Sequence, residues 1–206
     1  MKVKICGITN SNNLREILDL KPDFMGFIFY PASPRYVIDK LSPDDLVEIP
    51  KSIKRTGIFV NADLYTIEGD YWKYNLDFVQ LHGEESLATC RQLSLSGLNI
   101  IKAFRLDKDF DFDSLMDYIP YCKFFLFDTN SPEYGGSGKK FNWEILKKYD
   151  AGHPFILSGG IGPFDAEEIL SINHPSLYGI DLNSRFEIST GVKDVEKLRT
   201  FLKSFR

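Results

Sequence analysis

The chain has 206 residues, a net charge of −4 and 43% hydrophobic residues, which suits one domain (1–206) with a sizeable core. No basic block marks a nucleic-acid surface, no apolar stretch is long enough to span a membrane, and no apolar h-region follows Lys2 and Lys4 as it would in a signal peptide. The cysteines, Cys6, Cys90 and Cys122, are odd in number and widely spaced, which fits free thiols in a cytoplasmic protein better than a disulfide framework or a zinc site.

The first predicted strand is Val3 to Ile8. Successive side chains of a strand point to opposite faces, so Val3 and Ile5 share one face and Lys4 and Cys6 the other. In a barrel of parallel strands wrapped by helices the outward face is apolar. Val3 and Ile5 fit it, so Lys4 and Cys6 should point inward, with Cys6 at the C-terminal end of its strand. On position alone Cys6 reads as a small buried hydrophobe.

Asn10 or Ser11 caps a helix carrying Leu14, Ile17 and Leu18, and Pro22 ends it. Phe24 to Phe29 is a second strand, followed by a loop stiffened by Pro31 and Pro34. A short helix is predicted from Pro43 to Ile49, and a third strand from Thr56 to Val60. Asp63 can cap a helix to about Tyr74. Leu76 to Leu81 is a fourth strand, closed by His82-Gly83. Glu84 to Leu95 is helical, and Asn99 to Phe104 is a fifth strand with Arg105 at its end.

A poorly marked helix is placed near Phe112 to Tyr118. Lys123 to Phe127 is a sixth strand ending on Asp128-Thr129, before a glycine-rich loop, Gly135-Gly136-Ser137-Gly138. Phe141-Asn142-Trp143 opens a helix that runs to Lys148. Pro154 to Leu157 is a seventh strand, followed by Ser158-Gly159-Gly160. Asp165 starts a helix that reaches Ile172. Leu177 to Leu182 is an eighth strand, followed by Asn183-Ser184-Arg185. Val192, Val195, Leu198, Leu202 and Phe205 form the apolar stripe of a last helix. Strands and helices alternate about eight times, which argues for an α/β fold, a parallel sheet closed into a (β/α)8 barrel. An open doubly wound sheet would place its glycine-rich loop after the first strand.

Several positions can carry chemistry. In such barrels a phosphate often sits at the loops after strands seven and eight. Gly159-Gly160 and Asn183-Ser184 lie there, and their convergent N–H groups could hold an anion without a lysine. Asp128 and Asp181 end apolar strands, so each needs a partner or a raised pKa. A helix cap or a loop salt bridge is the bland alternative for Asp128. Arg35 sits in the proline-stiffened loop, which suits a fixed guanidinium fork for a carboxylate. His82, His153 and His174 show no metal-ligand spacing and read as structural.

Several stretches together resemble the phosphoribosylanthranilate isomerases of tryptophan biosynthesis. They are Lys4-Ile5-Cys6-Gly7-Ile8-Thr9, Ser33-Pro34-Arg35, Val79-Gln80-Leu81-His82-Gly83, Phe127-Asp128-Thr129, Gly135-Gly136-Ser137-Gly138 with Phe141-Asn142-Trp143, Leu157-Ser158-Gly159-Gly160-Ile161, Gly179-Ile180-Asp181 and Gly191-Val192-Lys193-Asp194. The resemblance implies a (β/α)8 barrel of the ribulose-phosphate-binding type. It implies an Amadori rearrangement of a small phosphosugar substrate with no cofactor and no metal, by a monomer or homodimer. It makes Cys6 the general base, Asp128 the general acid and Arg35 the group that holds the anthranilate carboxylate. Gly159, Gly160, Asn183 and Ser184 fall where the family binds phosphate, Asp181 where it faces the sugar, and Gly135 to Gly138 in an active-site loop.

The roles make opposite demands. Asp128 should keep a proton near neutrality through burial, and Cys6 should lose one, helped by Lys4 and by helix N-termini. Arg35 would help the thiolate but oppose a protonated Asp128, unless the bound substrate carboxylate cancels its charge. After strand eight the family often has a second small residue and a glycine, where this chain has Arg185-Phe186; Arg185 could add a charged contact to the phosphate. Two other readings remain: an aldose–ketose isomerase of histidine synthesis, which would lean on paired aspartates, and a catalytically idle phosphosugar-binding barrel.

Overall fold

The computed structural model describes residues 1–129 and 142–205. Eight parallel strands close into a barrel in chain order, and the last pairs with the first. They are β1 (Lys2–Cys6), β2 (Phe24–Ile28), β3 (Lys54–Phe59), β4 (Phe78–Leu81), β5 (Ile100–Leu106), β6 (Phe124–Thr129), β7 (Phe155–Leu157) and β8 (Leu177–Leu182). A two-stranded antiparallel hairpin, β9 (Glu187–Ser189) and β10 (Val192–Lys193), follows β8. The glycine-rich stretch Gly135 to Gly138 lies outside the described residues.

The α-helices are α1 (Ser11–Leu18), α2 (Pro43–Val47), α3 (Leu64–Lys73), α4 (Leu87–Leu95), α5 (Ala166–Ser171) and α6 (Val195–Leu202). Each of the long ones begins where a short polar side chain caps a free backbone N–H. Asn10 accepts from the Asn13 N–H, Asp63 from Thr66, Ser86 from Thr89 and Asp194 from Lys197. Ser42 and Asp45 form a reciprocal capping box on α2. The segments Asp113–Tyr118 and Trp143–Lys148 are 3-10 turns, not α-helices.

The main core lies between barrel and helices. Val3, Ile5, Met25, Phe27, Val79, Leu81, Phe125 and Phe127 point outward into it. A smaller apolar plug fills the barrel from Ile101, Ala103, Leu126 and Ile156, with Phe78, Phe124 and Tyr178 packed beneath. Phe24, Phe78, Phe124 and Tyr178, from the four even strands, meet in edge-on, tilted and stacked ring contacts and seal the bottom. The plug closes the barrel from below and leaves the C-terminal mouth as its open end, where such barrels keep their chemistry.

Several boundaries differ from the sequence reading. β1 ends at Cys6, because Gly7 turns to a positive φ of 78°. α1 stops at Leu18, before Pro22, with a left-handed Lys21 between them. β5 runs on to Leu106, so Arg105 lies inside the strand. Val192 belongs to β10 and not to the last helix; the Asp194 cap separates the two.

Candidate active site

The barrel mouth holds one polar pocket. Its lining includes Cys6, Arg35, Gln80, His82, Asp128, Ser158, Gly159, Gly160, Asp181, Asn183 and Ser184. The strand period explains the convergence. Cys6, Asp128 and Asp181 sit at inward positions near the C-terminal ends of β1, β6 and β8, while Ile5, Phe127 and Leu182 face the helices. In the ring, β1 and β6 stand apart with β8 and β7 between them, so Cys6 and Asp128 face one cavity from different sides.

Cys6 is buried and lies beside Gly26, its register partner on β2. A Cβ on Gly26 would stand 2.7 Å from the Cys6 sulfur. Glycine there is what leaves the thiol its place. Gly26→Ala should push the sulfur off its position, cost about 1–3 kcal/mol of stability through overpacking and cut turnover more than substrate binding. Urea unfolding and steady-state kinetics would check this; unchanged kcat would show that the sulfur position does not matter.

Lys4 lies one layer below, fully buried, and its ammonium donates to Asp181 at 3.0 Å. Burial pushes the Cys6 thiol up; Lys4 opposes this, Asp181 adds to it, and Lys193 opposes it. The sequence reading placed the thiol in an environment that favours the thiolate. In the free protein desolvation wins and the thiol is the favoured form.

Arg35 is not an isolated loop charge. Its Nε and Nη2 donate to the two carboxylate oxygens of Glu187, at 2.8 and 2.7 Å. Glu187 also accepts from Lys193 Nζ at 2.7 Å and from the Gly191 N–H at 3.2 Å. Lys193 Nζ reaches Asn183 Oδ1 at 2.7 Å. Gly7 permits this crowding, since a Cβ there would meet Arg35 Cδ and Asn183 Oδ1, each at 2.7 Å. Glu187 thus cancels the Arg35 charge before any ligand arrives, the task the sequence reading gave to a substrate carboxylate. Lys193 brings a second amine to the cluster; burial lowers its pKa, and Glu187 opposes that.

Burial alone would raise the Glu187 carboxyl, but the Arg35 hydrogen bonds and Lys193 hold it below its ordinary value of 4.5. A depressed folded pKa stabilises the fold above the unfolded value, and that contribution is lost as pH falls through the folded one. Wild-type stability should therefore drop more between about pH 5 and pH 3 than that of Glu187→Gln. Urea midpoints at the two pH values check this; parallel losses would contradict it.

Asp128 is buried, with Oδ1 accepting from the Thr129 N–H at 2.7 Å and Oδ2 2.9 Å from His82 Nε2. Gly159, at φ 89°, packs so closely that a Cβ would stand 2.8 Å from Asp128 Oδ1. Gly160 is also left-handed, at φ 66°. Asn183 and Ser184 line the same rim, where the chain leaves β8 for a 3-10 turn (Ser184–Phe186). Arg185 is exposed and is not among the pocket's lining residues.

Sequence reasoning missed Glu187 and Lys193, and it read His82 as structural. Cys6, Cys90 and Cys122 are free and buried. Among the described residues no group of three or more His, Cys, Asp or Glu is placed to hold a metal ion, and no helix is long and apolar enough to cross a membrane.

Fold and pocket together define a (β/α)8 barrel with a thiol, carboxyls and a guanidinium gathered at its C-terminal mouth, the end where enzymes of this fold keep their chemistry. The family model for N-(5'phosphoribosyl)anthranilate (PRA) isomerase matches residues 3–204. The N-(5'-phosphoribosyl)anthranilate isomerase of Parabacteroides distasonis is 42% identical over 204 residues, covering 98% of this chain and 92% of that one. The crystal structure of phosphoribosyl anthranilate isomerase from Thermotoga maritima superimposes with a TM-score of 0.86 at 35% identity, over 99% of this chain and 98% of that one. A crystal structure of a phosphoribosyl anthranilate isomerase in complex with reduced 1-(o-carboxyphenylamino)-1-deoxyribulose 5-phosphate matches with a TM-score of 0.82 at 32% identity, over 99% and 97%. The chain belongs to the N-(5'-phosphoribosyl)anthranilate isomerase family.

Proposed function

We propose that this chain converts N-(5-phosphoribosyl)anthranilate into 1-(2-carboxyphenylamino)-1-deoxyribulose 5-phosphate, with Asp128 as general acid and Cys6 as general base. The observation that carries the reading is the single pocket shared by a thiol, a carboxyl, a guanidinium and two glycine- and amide-bearing rim segments. The relative bound to a reduced form of this product supports it.

The residue types answer the chemistry. Asp128 gives a proton to the furanose ring oxygen while the C1–O bond breaks, its electron pair passing to oxygen. The anthranilate nitrogen lone pair closes the iminium. Cys6 then takes the proton from C2, and those electrons form the C1–C2 double bond as nitrogen regains its pair. The enolamine tautomerises to the ketone, so the ribose is oxidised at C2 and reduced at C1 within one molecule. Arg35 directs its remaining N–H groups to the substrate carboxylate. Gly159, Gly160, Asn183 and Ser184 direct main-chain N–H groups to the phosphate, and Asp181 faces the sugar.

The thiol's raised pKa need not defeat the base step. The iminium places a positive charge next to C2, adding to Lys4 and Lys193 at the moment a thiolate is needed. Alkylation of Cys6 by iodoacetamide, followed on its own peptide, should be slow at about pH 7 and rise well above the ordinary thiol range of about 8.5. A thiol already reactive at neutrality would contradict this account of the free enzyme.

Turnover itself is tested by adding N-(5-phosphoribosyl)anthranilate to the purified chain and following emission, since substrate and product differ in fluorescence. Conversion at enzyme-like rates is expected, and a binding signal without conversion would favour an idle phosphosugar-binding barrel. A histidine-pathway isomerase would lean on paired aspartates and leave Cys6 incidental, so loss of turnover in Cys6→Ala separates this reading from that one.

A further inference from the structure

Two buried charges take no part in the steps above. Lys102 is 3% exposed and Glu85 7%, and they pair at 2.9 Å. Ile101 and Ala103 point into the barrel, whereas Ile100 and Phe104 point out into the helix layer. Lys102 therefore lies on the outward face of β5, where an apolar residue is expected. In a buried ion pair the lost hydration largely offsets the attraction, so exchanging both ions for neutral groups of similar size often leaves stability unchanged. Stability does not account for the pair, but its hydrogen bonds do.

Those bonds converge on Gly83. Both carboxylate oxygens of Glu85 accept from the Gly83 N–H, at 3.1 and 2.9 Å. Lys102 Nζ donates to the Gly83 carbonyl at 2.8 Å, and to the carbonyls of Leu81 and Ala103 at 3.4 and 3.2 Å. Glu85 also accepts from the Asn61 N–H at 2.8 Å, and Asn61 Oδ1 accepts from the Glu84 N–H at 2.7 Å. The turn after β4 is thus fastened to the end of β3 on one side and to β5 on the other. Glycine has the widest backbone freedom of any residue, and the ion pair removes that freedom by holding both the N–H and the carbonyl.

His82 stands directly before this turn. Its own N–H donates to the Phe59 carbonyl at 2.8 Å, and its imidazole Nε2 lies 2.9 Å from Asp128 Oδ2. We propose that Glu85 and Lys102 are positioning residues for the acid step: they fix the Gly83 turn and so hold the His82 imidazole against Asp128 across the end of β5. The proposal rests on reading Asp128 as the acid. With the turn released, Asp128 keeps the Thr129 N–H at Oδ1 but loses the contact that fixes its second oxygen. A carboxyl free to swing from the furanose oxygen then gives its proton less often.

The test is the double variant Lys102→Met/Glu85→Gln, which removes both charges and keeps a carboxamide oxygen for the Gly83 and Asn61 N–H groups. Its urea midpoint should stay near that of wild type, while kcat falls by about 10–100-fold with little change in KM, as when a reacting group is slightly misplaced. The loss should fall on ring opening, so substrate deuterated at C2 should react at almost the same rate as unlabelled substrate. On top of Asp128→Asn the double variant should cost little more. A folded variant with wild-type kcat, or a loss that adds in full to that of Asp128→Asn, would overturn the proposal. If the double variant does not fold, Glu85→Gln alone is read by the same outcomes. Placement is read apart from chemistry by 15N NMR of the 3 histidines: the His82 imidazole signals should move in the variant and those of His153 and His174 should not. Unmoved His82 signals would overturn the positioning role. The acid assignment fails separately, if Asp128→Asn keeps its kcat while the His82 signals move.

Discussion

Replacing Cys6 by alanine should lower kcat by about 10²–10⁴-fold, the usual worth of a positioned general base. The loss should fall on kcat, with binding of a reduced product analogue nearly unchanged, because the sulfur acts on C2 in the transition state and makes little of the ground-state contact. Two controls come from the structure. Alanine removes one buried atom beside Gly26 and so leaves no steric conflict. Arg35, Gly159 and Asn183, which carry the proposed anion contacts, stay in place. A Cys6→Ala protein that turns over within a few-fold of wild type would remove the base from the mechanism.

Asp128→Asn should lose a similar factor, about 10²–10⁴, for the complementary reason. The amide is nearly isosteric and can still meet the Thr129 N–H and His82, but it has no carboxylic proton to give. The two variants should differ in which step limits them. Ring opening becomes limiting without the acid, so substrate deuterated at C2 should react at almost the same rate as unlabelled substrate in Asp128→Asn. Proton abstraction becomes limiting when the base is weakened, so Cys6→Ser should show a clear C2 isotope effect. Equal isotope effects in the two variants would mean that the roles are not divided between these residues.

The barrel was legible because most strands are short apolar runs and the longer helices open on capping residues. Val3 and Ile5 against Lys4 and Cys6 told which face looks inward, and the structure places them so. The partners of the charged groups were not legible. Arg35 and Glu187 are 152 positions apart, and His82 and Asp128 are 46 apart. No local pattern joins residues that meet only when the ring of strands closes.

The hairpin that supplies Glu187 and Lys193 escaped for another reason. Its strands are three and two residues long, too short for an alternating pattern, and Val192 happens to fall in phase with the apolar stripe of the following helix. The thiol's environment was misjudged because Lys4 is visible in sequence and desolvation is not. Burial, which only the folded barrel supplies, outweighs the neighbouring ammonium at Cys6.

The most direct measurement is a crystal structure of the wild-type chain with reduced 1-(2-carboxyphenylamino)-1-deoxyribulose 5-phosphate. The account predicts the Cys6 sulfur about 3–3.5 Å from C2, and an Asp128 oxygen on the other side of the sugar, about 2.6–3.2 Å from the hydroxyl that had been the ring oxygen. The carboxylate would rest on Arg35 and the phosphate on the Gly159–Gly160 and Asn183–Ser184 amides. A sugar bound with the sulfur out of reach of C2, or with thiol and carboxyl on the same face, would contradict it.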